Sequence, residues 1–246
     1  MKLRITTIFL AFHLLALGSF SQMSSKSIDK LLSDTYKKLR QVEDQTRYDS
    51  IAPLFEKQFV KYISSPLMFN NTLDSLETLI TIRQSPDKRI KFYSWDELTG
   101  GTWHEINVFA QFKATGSKLL YKKLDTDKEM EVDGFTDSEI YQVYEIREDQ
   151  KVYYLTFGWG THGNGNHHQI IQLFKIDGDD LIKCKAFNQS ETELVIEYPR
   201  REKLNLEFDK RTNSISFDEF VEHEEEQFAQ KTGKRKTFKF SNGSFQ

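Results

Sequence analysis

The sequence predicts an α+β protein in which N-terminal helices precede a large antiparallel β-meander. Three observations favour this fold class. Between residues 24 and 82, apolar residues recur every three or four positions, which is the period of amphipathic helices. From Pro86 to the end, apolar and polar residues alternate with a period of two, as in strands. Short runs rich in glycine, aspartate and asparagine separate the alternating stretches, which is typical of tight turns.

The helical region is expected to contain two or three amphipathic helices. Asp49 or Ser50 is predicted to cap the second helix and Asn71 the third, because these side chains accept hydrogen bonds from the free N–H groups of a first turn. An amphipathic helix must bury its apolar side. We therefore expect the helices to pack on one another or on a sheet face.

The β region is expected to contain about ten short strands. A meander of that length must curl, split into two layers as a sandwich, or form a partial propeller. The change of period near Ser85-Pro86-Asp87 places the boundary between a helical region, residues 22–85, and an antiparallel β region, residues 86–246.

Residues 1–21 have the three-part layout of a signal peptide that is cleaved on export. Lys2 and Arg4 form a positive start, residues 5–17 are largely apolar, and Ser19 and Ser21 precede a cleavage site at Gln22. The apolar run is too short to span a bilayer comfortably. We expect an exported protein, periplasmic or secreted, with no integral membrane segment in its mature chain.

The net charge bears on the class of partner, and the cysteine content bears on disulfide bonding. The 246 residues carry a net charge of −3, so there is no electrostatic reason to expect nucleic acid as a partner. The single cysteine, Cys184, cannot form an internal disulfide. It shares a strand face with Ile182 and Ala186, which predicts a buried and inert thiol. The alternative is a nucleophile whose pKa is lowered by the flanking Lys183 and Lys185.

The segment 158–168 is rich in glycine and histidine. Its glycines at 158, 160 and 163 match G-x-G-x-x-G, but a dinucleotide site needs a helix after the glycines, and here a strand pattern follows. The histidines suggest zinc, held by His162, by one of His167 and His168, and by His104 or a carboxylate such as Asp96. Only one of His167 and His168 is expected to bind, since adjacent strand residues point to opposite faces. The alternative is a polar loop without a metal or any other cofactor.

The tryptophans beside turns suggest a ligand-binding site. Trp95, Trp103 and Trp159 all lie beside a predicted turn or glycine-rich loop, and flat rings at strand ends can stack on sugars or on a peptide. The alternative is that these rings pack in the core, because tryptophan is well buried on average. The candidate binding set, for a carbohydrate or protein partner, is Asp96, Trp103, His104, Trp159 and His162.

Two stretches resemble segments of exported bacterial β-rich proteins with no assigned function. One comprises residues 89–96, RIKFYSWD, with the following TGGT at 99–102, and the other is KTFKFSNGSF at 236–245. The resemblance implies export and a β-rich body. It implies no activity.

The sequence therefore favours an exported, non-catalytic binding protein. No G-x-S-x-G or other compact catalytic motif occurs, which favours binding over catalysis without excluding an enzyme. The alternatives are a metal-dependent hydrolase that uses the histidine-rich loop, and a structural envelope protein without a ligand site.

Overall fold

The computed structural model describes residues 23–97, 105–124, 138–161, 165–188, 191–221 and 228–246. Within these ranges, N-terminal helices are followed by 13 strands in three antiparallel sheets. The predicted α+β class and the β-rich meander are thus confirmed.

The helices occupy the first third of the described chain. They are α1 (Ser25–Arg40), α2 (Gln45–Ile63), α3 (Pro66–Asn70) and α4 (Asp74–Glu77). Sheet A contains β1 (Thr81–Gln84), β2 (Ile90–Asp96), β3 (Ile106–Lys113) and β4 (Leu119–Lys123). Sheet B contains β5 (Glu139–Glu148), β6 (Lys151–Thr161), β7 (Asn166–Asp177), β8 (Asp180–Lys183) and β9 (Glu193–Pro199). Sheet C contains β10 (Leu206–Asp209), β11 (Ser214–Val221), β12 (Gln230–Ser241) and β13 (Ser244–Phe245).

The strands pair almost entirely in chain order. In the described ranges, the exception is β9, which returns to β7. Residues 166–172 of β7 pair with β9, and residues 174–177 pair with β8, while β6 pairs along the other edge. The strands β8 and β9 therefore share one edge of β7, end to end.

The helices and sheets stack as four layers, because each sheet has one or two apolar faces to bury. Three apolar cores lie between the layers. The core between the helices and sheet A includes Phe59, Tyr93 and Trp95. The core between sheets A and B includes Phe92 and Phe174, and the core between sheets B and C includes residues such as Leu155, Ile171, Phe217 and Phe240.

Polar side chains of sheet A bind the carbonyls that the helices leave unpaired at their C-terminal ends. Lys91 Nζ donates to the carbonyl oxygens of Met68 and Asn71 at 2.9 and 2.8 Å. Gln111 Nε2 donates to the carbonyls of Ile63 and Ser65, where α2 ends and α3 begins. The last carbonyls of a helix have no partner within it, so these bonds let the helix ends be buried against the sheet.

The predicted helix caps are wrong, and both corrections have a local cause. The N-cap of α2 is Asp44, whose side chain accepts from the N–H of Arg47, so α2 begins before Asp49 and Ser50. Asn71 instead follows α3, where it is the C-cap. The short strand β1 also lies at the end of the segment predicted to be helical.

The N-terminus of α4 is capped from another helix. Its own N-cap position, Leu73, supplies no side-chain oxygen. The carboxylate of Asp29 on α1 accepts from the N–H groups of Ser75 and Leu76 at 3.0 and 2.8 Å, and Asp29 is only 9% exposed. A buried carboxylate thus fixes α4 against α1.

Replacing Asp29 by alanine should destabilise the fold. The two N–H groups would lose their buried acceptor, at a cost of ~1–3 kcal/mol. Asp34→Ala is the matched control: Asp34 is on the same helix and pairs with Lys30, but both side chains are exposed, so its loss should cost much less than the loss of Asp29. Urea denaturation measures both. Equal losses in the two variants would contradict the capping role of Asp29.

The buried Lys91 should make stability depend on pH. Burial lowers the pKa of Lys91 to about 8 from its ordinary value of 10.5, and the nearby Glu77 raises it by a smaller amount. Between these two values the unfolded chain binds more protons than the folded protein, so stability due to Lys91 rises with pH. The difference in unfolding free energy between wild type and Lys91→Met should change in favour of wild type from pH 8 to 10, by up to ~1.4 kcal/mol per pH unit. A pH-independent difference in urea denaturation would refute this.

Candidate functional site

The candidate site lies where one face of sheet B extends past its core. Phe157 and Ile171 are paired across β6 and β7 and belong to the core shared with sheet C. The next pair on that same face is Trp159 and Gln169. Trp159 is only partly buried, unlike the core residues before it.

An open cleft of about 360 Å³ is found at this position. Glu139, Tyr141, Trp159 and Gln169 line it. Glu139 is the register partner of Trp159 across β5 and β6. Tyr141 sits at an irregularity in that pairing, because the register shifts between Ile140 and Gln142. The cleft thus combines one flat indole ring with an amide, a phenol and a carboxylate.

The polar groups of the cleft are held in place by neighbours. Tyr141 donates its hydroxyl hydrogen to Gln169 Oε1 at 3.0 Å, and burial raises the pKa of Tyr141. Glu139 accepts a hydrogen bond from Thr81 Oγ1 of β1. Sheet A therefore fixes the carboxylate side of the cleft, while sheet B fixes the amide and the indole.

A row of aromatic rings continues from the cleft along the sheet. The ring of Trp159 lies 5.0 Å from that of His167, His167 lies 5.8 Å from Tyr198, and Tyr198 lies 6.0 Å from Phe220 of sheet C. The His167 ring thus packs against the indole from one side, and the rings that follow support His167. A preset ring plane lowers the entropy lost when a ligand stacks on it.

Asp96, another residue of the predicted binding set, is the last residue of β2 in sheet A. Its backbone oxygen accepts from the hydroxyl of Tyr36 on α1 at 2.9 Å. Burial raises the pKa of Tyr36, and the charges of Asp96 and Glu139 raise it further. Among the described residues, those that line the cleft do not include Asp96, so its place in the predicted binding set stays a prediction.

Of the other predicted site residues, the structure describes only His167 and His168. Trp103, His104 and His162 lie outside the described residues. His167 and His168 point to opposite faces of β7, as the strand period predicts: His167 contacts Trp159, whereas His168 is buried on the face toward sheet A. His167 Nδ1 is buried without a hydrogen-bond partner in the described chain, and burial followed by the charge of Arg200 lowers the pKa of His167.

Among the described residues, no group of three or more histidine, cysteine, aspartate or glutamate side chains is arranged to hold a metal ion. The zinc hypothesis depends on His104 and His162, so it stays a prediction. Cys184 is half-buried just after β8, and burial raises the pKa of its thiol, which disfavours the reactive thiolate.

Three cleft residues were not predicted. Glu139, Tyr141 and Gln169 join Trp159 only through cross-strand register, and Tyr141 only through an irregularity in that register. A residue type and its position in one strand do not specify the residue opposite it. No pattern in the sequence singles out these three.

Two glycines of the segment 158–168, Gly158 and Gly165, have structural reasons. A Cβ on Gly158 would collide with Ser138 Oγ and lie 2.8 Å from Ser138 Cβ. Gly165 has a φ of +79°, which favours glycine, and a Cβ there would press on the ring of Phe228 at 3.0 Å. Tight packing of β6 therefore requires glycine at position 158, and the turn into β7 favours glycine at position 165.

Comparisons with known proteins add no family or activity. No protein-family model, curated protein or solved structure matches the chain. The resemblance noted for residues 89–102 and 236–245 therefore stays an expectation. In the described ranges, no helix is both long enough and apolar enough to cross a membrane.

Replacing Gly158 by alanine should destabilise the protein by ~1–3 kcal/mol, because the added methyl group overpacks the contact with Ser138. Removing the opposing side chain provides the matched test. In the double variant Gly158→Ala/Ser138→Gly, most of the loss should be recovered, apart from the cost of Ser138→Gly measured alone. Urea denaturation of the four proteins gives the coupling free energy. Strict additivity would mean that the two positions do not oppose each other.

Proposed function

We propose that the protein is an exported, non-catalytic binding protein that holds a saccharide in the cleft at Trp159. Export is the expectation from residues 1–21. The observation that carries the binding proposal is the partly exposed indole of Trp159, set in an open cleft among polar side chains.

Saccharides suit the chemistry of this cleft. A pyranose presents an apolar face of C–H groups and a rim of hydroxyl groups. Trp159 offers a flat apolar ring for the face, while Gln169 and Glu139 offer hydrogen-bonding atoms for the rim. A saccharide is neutral, so a site for it needs few charged side chains. An open cleft suits the end or the side of a glycan chain better than a small molecule that must be enclosed.

The same observation favours binding over a purely structural role. Trp95 shows what a structural tryptophan looks like in this fold: it is 3% exposed and packs against Phe55, Phe59 and Phe109. Trp159 instead has part of its ring open to the cleft. An exposed aromatic ring with fixed orientation is a common element of binding surfaces.

The binding proposal is tested on an array of plant, microbial and host glycans, followed by calorimetry with the strongest hit. We expect Trp159→Ala to weaken binding at least tenfold, ~1.4 kcal/mol, because the stacking surface is lost. Trp159→Phe should retain part of the affinity, since a smaller ring remains. Thermal melts of both variants check that the fold is intact.

The matched control is Tyr121→Ala. Tyr121 is an aromatic residue on β4 that is 41% exposed and lies outside the cleft, so its loss should leave the affinity within twofold of wild type. If no glycan binds, or if Trp159→Ala binds as tightly as wild type, the proposal is wrong.

A further inference from the structure

A second pocket lies between the short helices and sheet A, and it shares no lining residue with the cleft at Trp159. Its volume is about 320 Å³. The segment 70–73 that joins α3 to α4 forms one wall, and strands β1, β2 and β3 supply the others. Three lysines from three separate places in the chain line it: Lys88, Lys91 and Lys113.

Each lysine is positioned by the fold. Lys91 is 5% exposed, and two of its three N–H donors are used by the carbonyls of Met68 and Asn71, so one donor remains. Lys113 Nζ lies 5.0 Å from the centre of the buried Phe69 ring. Lys88 lies in the turn between β1 and β2 with a φ of 56°, a conformation that glycine and asparagine adopt more readily.

The charge balance in this pocket is positive. Glu77 is the carboxylate among the lining residues, and it is shared with Arg83 Nη1 at 3.4 Å. The lining thus contains three lysines and one carboxylate, and that carboxylate already has another partner. The whole chain is acidic, with a net charge of −3, so a local excess of positive charge at one concave place departs from the average surface.

The lining is also rich in neutral hydrogen-bonding groups. Asn70, Asn71, Thr72 and Gln84 accompany the lysines. Amide and hydroxyl groups donate hydrogen bonds to anionic oxygens, and lysine binds phosphate as a point charge. Burial of the Lys91 ammonium group without a counter-charge is costly, which an anion in the pocket would offset.

We infer that this pocket is a binding site for a tetrahedral oxyanion, phosphate or sulfate, either free or as a monoester on a small soluble molecule. Three lysines line it, and residues 70–72 and Gln84 line it with them. The volume exceeds that of a bare oxyanion, which leaves room for an attached group.

The test uses inorganic phosphate, inorganic sulfate and glucose 6-phosphate as probes. Each is titrated into isotope-labelled protein at constant ionic strength, with sodium chloride as the balancing salt, and amide shifts of residues 70–73 are followed by NMR. We expect saturable shifts with millimolar or tighter affinity for at least one probe. Comparing phosphate with glucose 6-phosphate identifies whether the free ion or the ester is the better ligand.

The double variant Lys88→Asn/Lys113→Gln should weaken that binding at least tenfold. Asparagine suits the positive φ at residue 88, and Lys91 is left in place because it also caps α3. The matched control, Lys151→Gln/Lys239→Gln, removes the same two charges at exposed positions outside the pocket and should leave the affinity within twofold.

Two results would overturn the inference. One is the absence of saturable shifts with all three probes up to about 20 mM, far above the ordinary millimolar range of weak sites. The other is equal weakening by the pocket variant and the control variant, which would show a general charge effect. Neither result bears on glycan binding at Trp159, because the two sites have different probes and different variants.

Discussion

Sheet B has to bury both of its faces, and the arrangement of the other layers follows from that constraint. Six consecutive residues of β6, 153–158, are buried, which an exposed strand face would not permit. Sheet A covers one face and sheet C the other. Both neighbouring sheets are needed because an apolar sheet face left in water would lose roughly 25 cal/mol of stabilising free energy for each Å² of apolar surface. Trp159 and Gln169 lie just beyond the pairs that sheet C covers, so the candidate cleft is the place where this cover ends.

The helical layer depends on hydrogen bonds as much as on apolar contact. Its core against sheet A contains large rings such as Phe59 and Trp95, but the ends of α2 and α3 also have to be satisfied when they are buried. Lys91 and Gln111 supply those bonds from the sheet, and Asp29 supplies the equivalent bonds for α4. The polar residues on the helix-facing side of β2 and β3 are thus part of the packing. One of them, Lys91, also lines the lysine pocket, so docking of the helices and the charge of that pocket are linked.

Period and turn chemistry were enough to predict the class of fold, because helices and strands differ in which residues face the same way. The opposite orientations of His167 and His168 followed from the same rule. The cap of α4 could not be predicted, since Asp29 lies more than forty residues before the N–H groups it binds. The cleft needed the register of β5 on β6, including the shift at Tyr141, which alternation does not specify. Trp95 and Trp159 look alike in the sequence, yet only layer order decides that one is core and the other lines a cleft.

The pairing of strands in chain order has a consequence for how the protein reaches its native state. Each described sheet draws its strands from one continuous stretch, so its ladders close over short loops, and local closure is the fast part of folding. The return of β9 to β7 past β8 is the longer step within sheet B, and it fixes the edge next to His167 and Gln169. The hairpins are therefore free to form early and separately, whereas the ring-lined end of β7 acquires its final neighbours late, after nearly all of sheet B has been assembled.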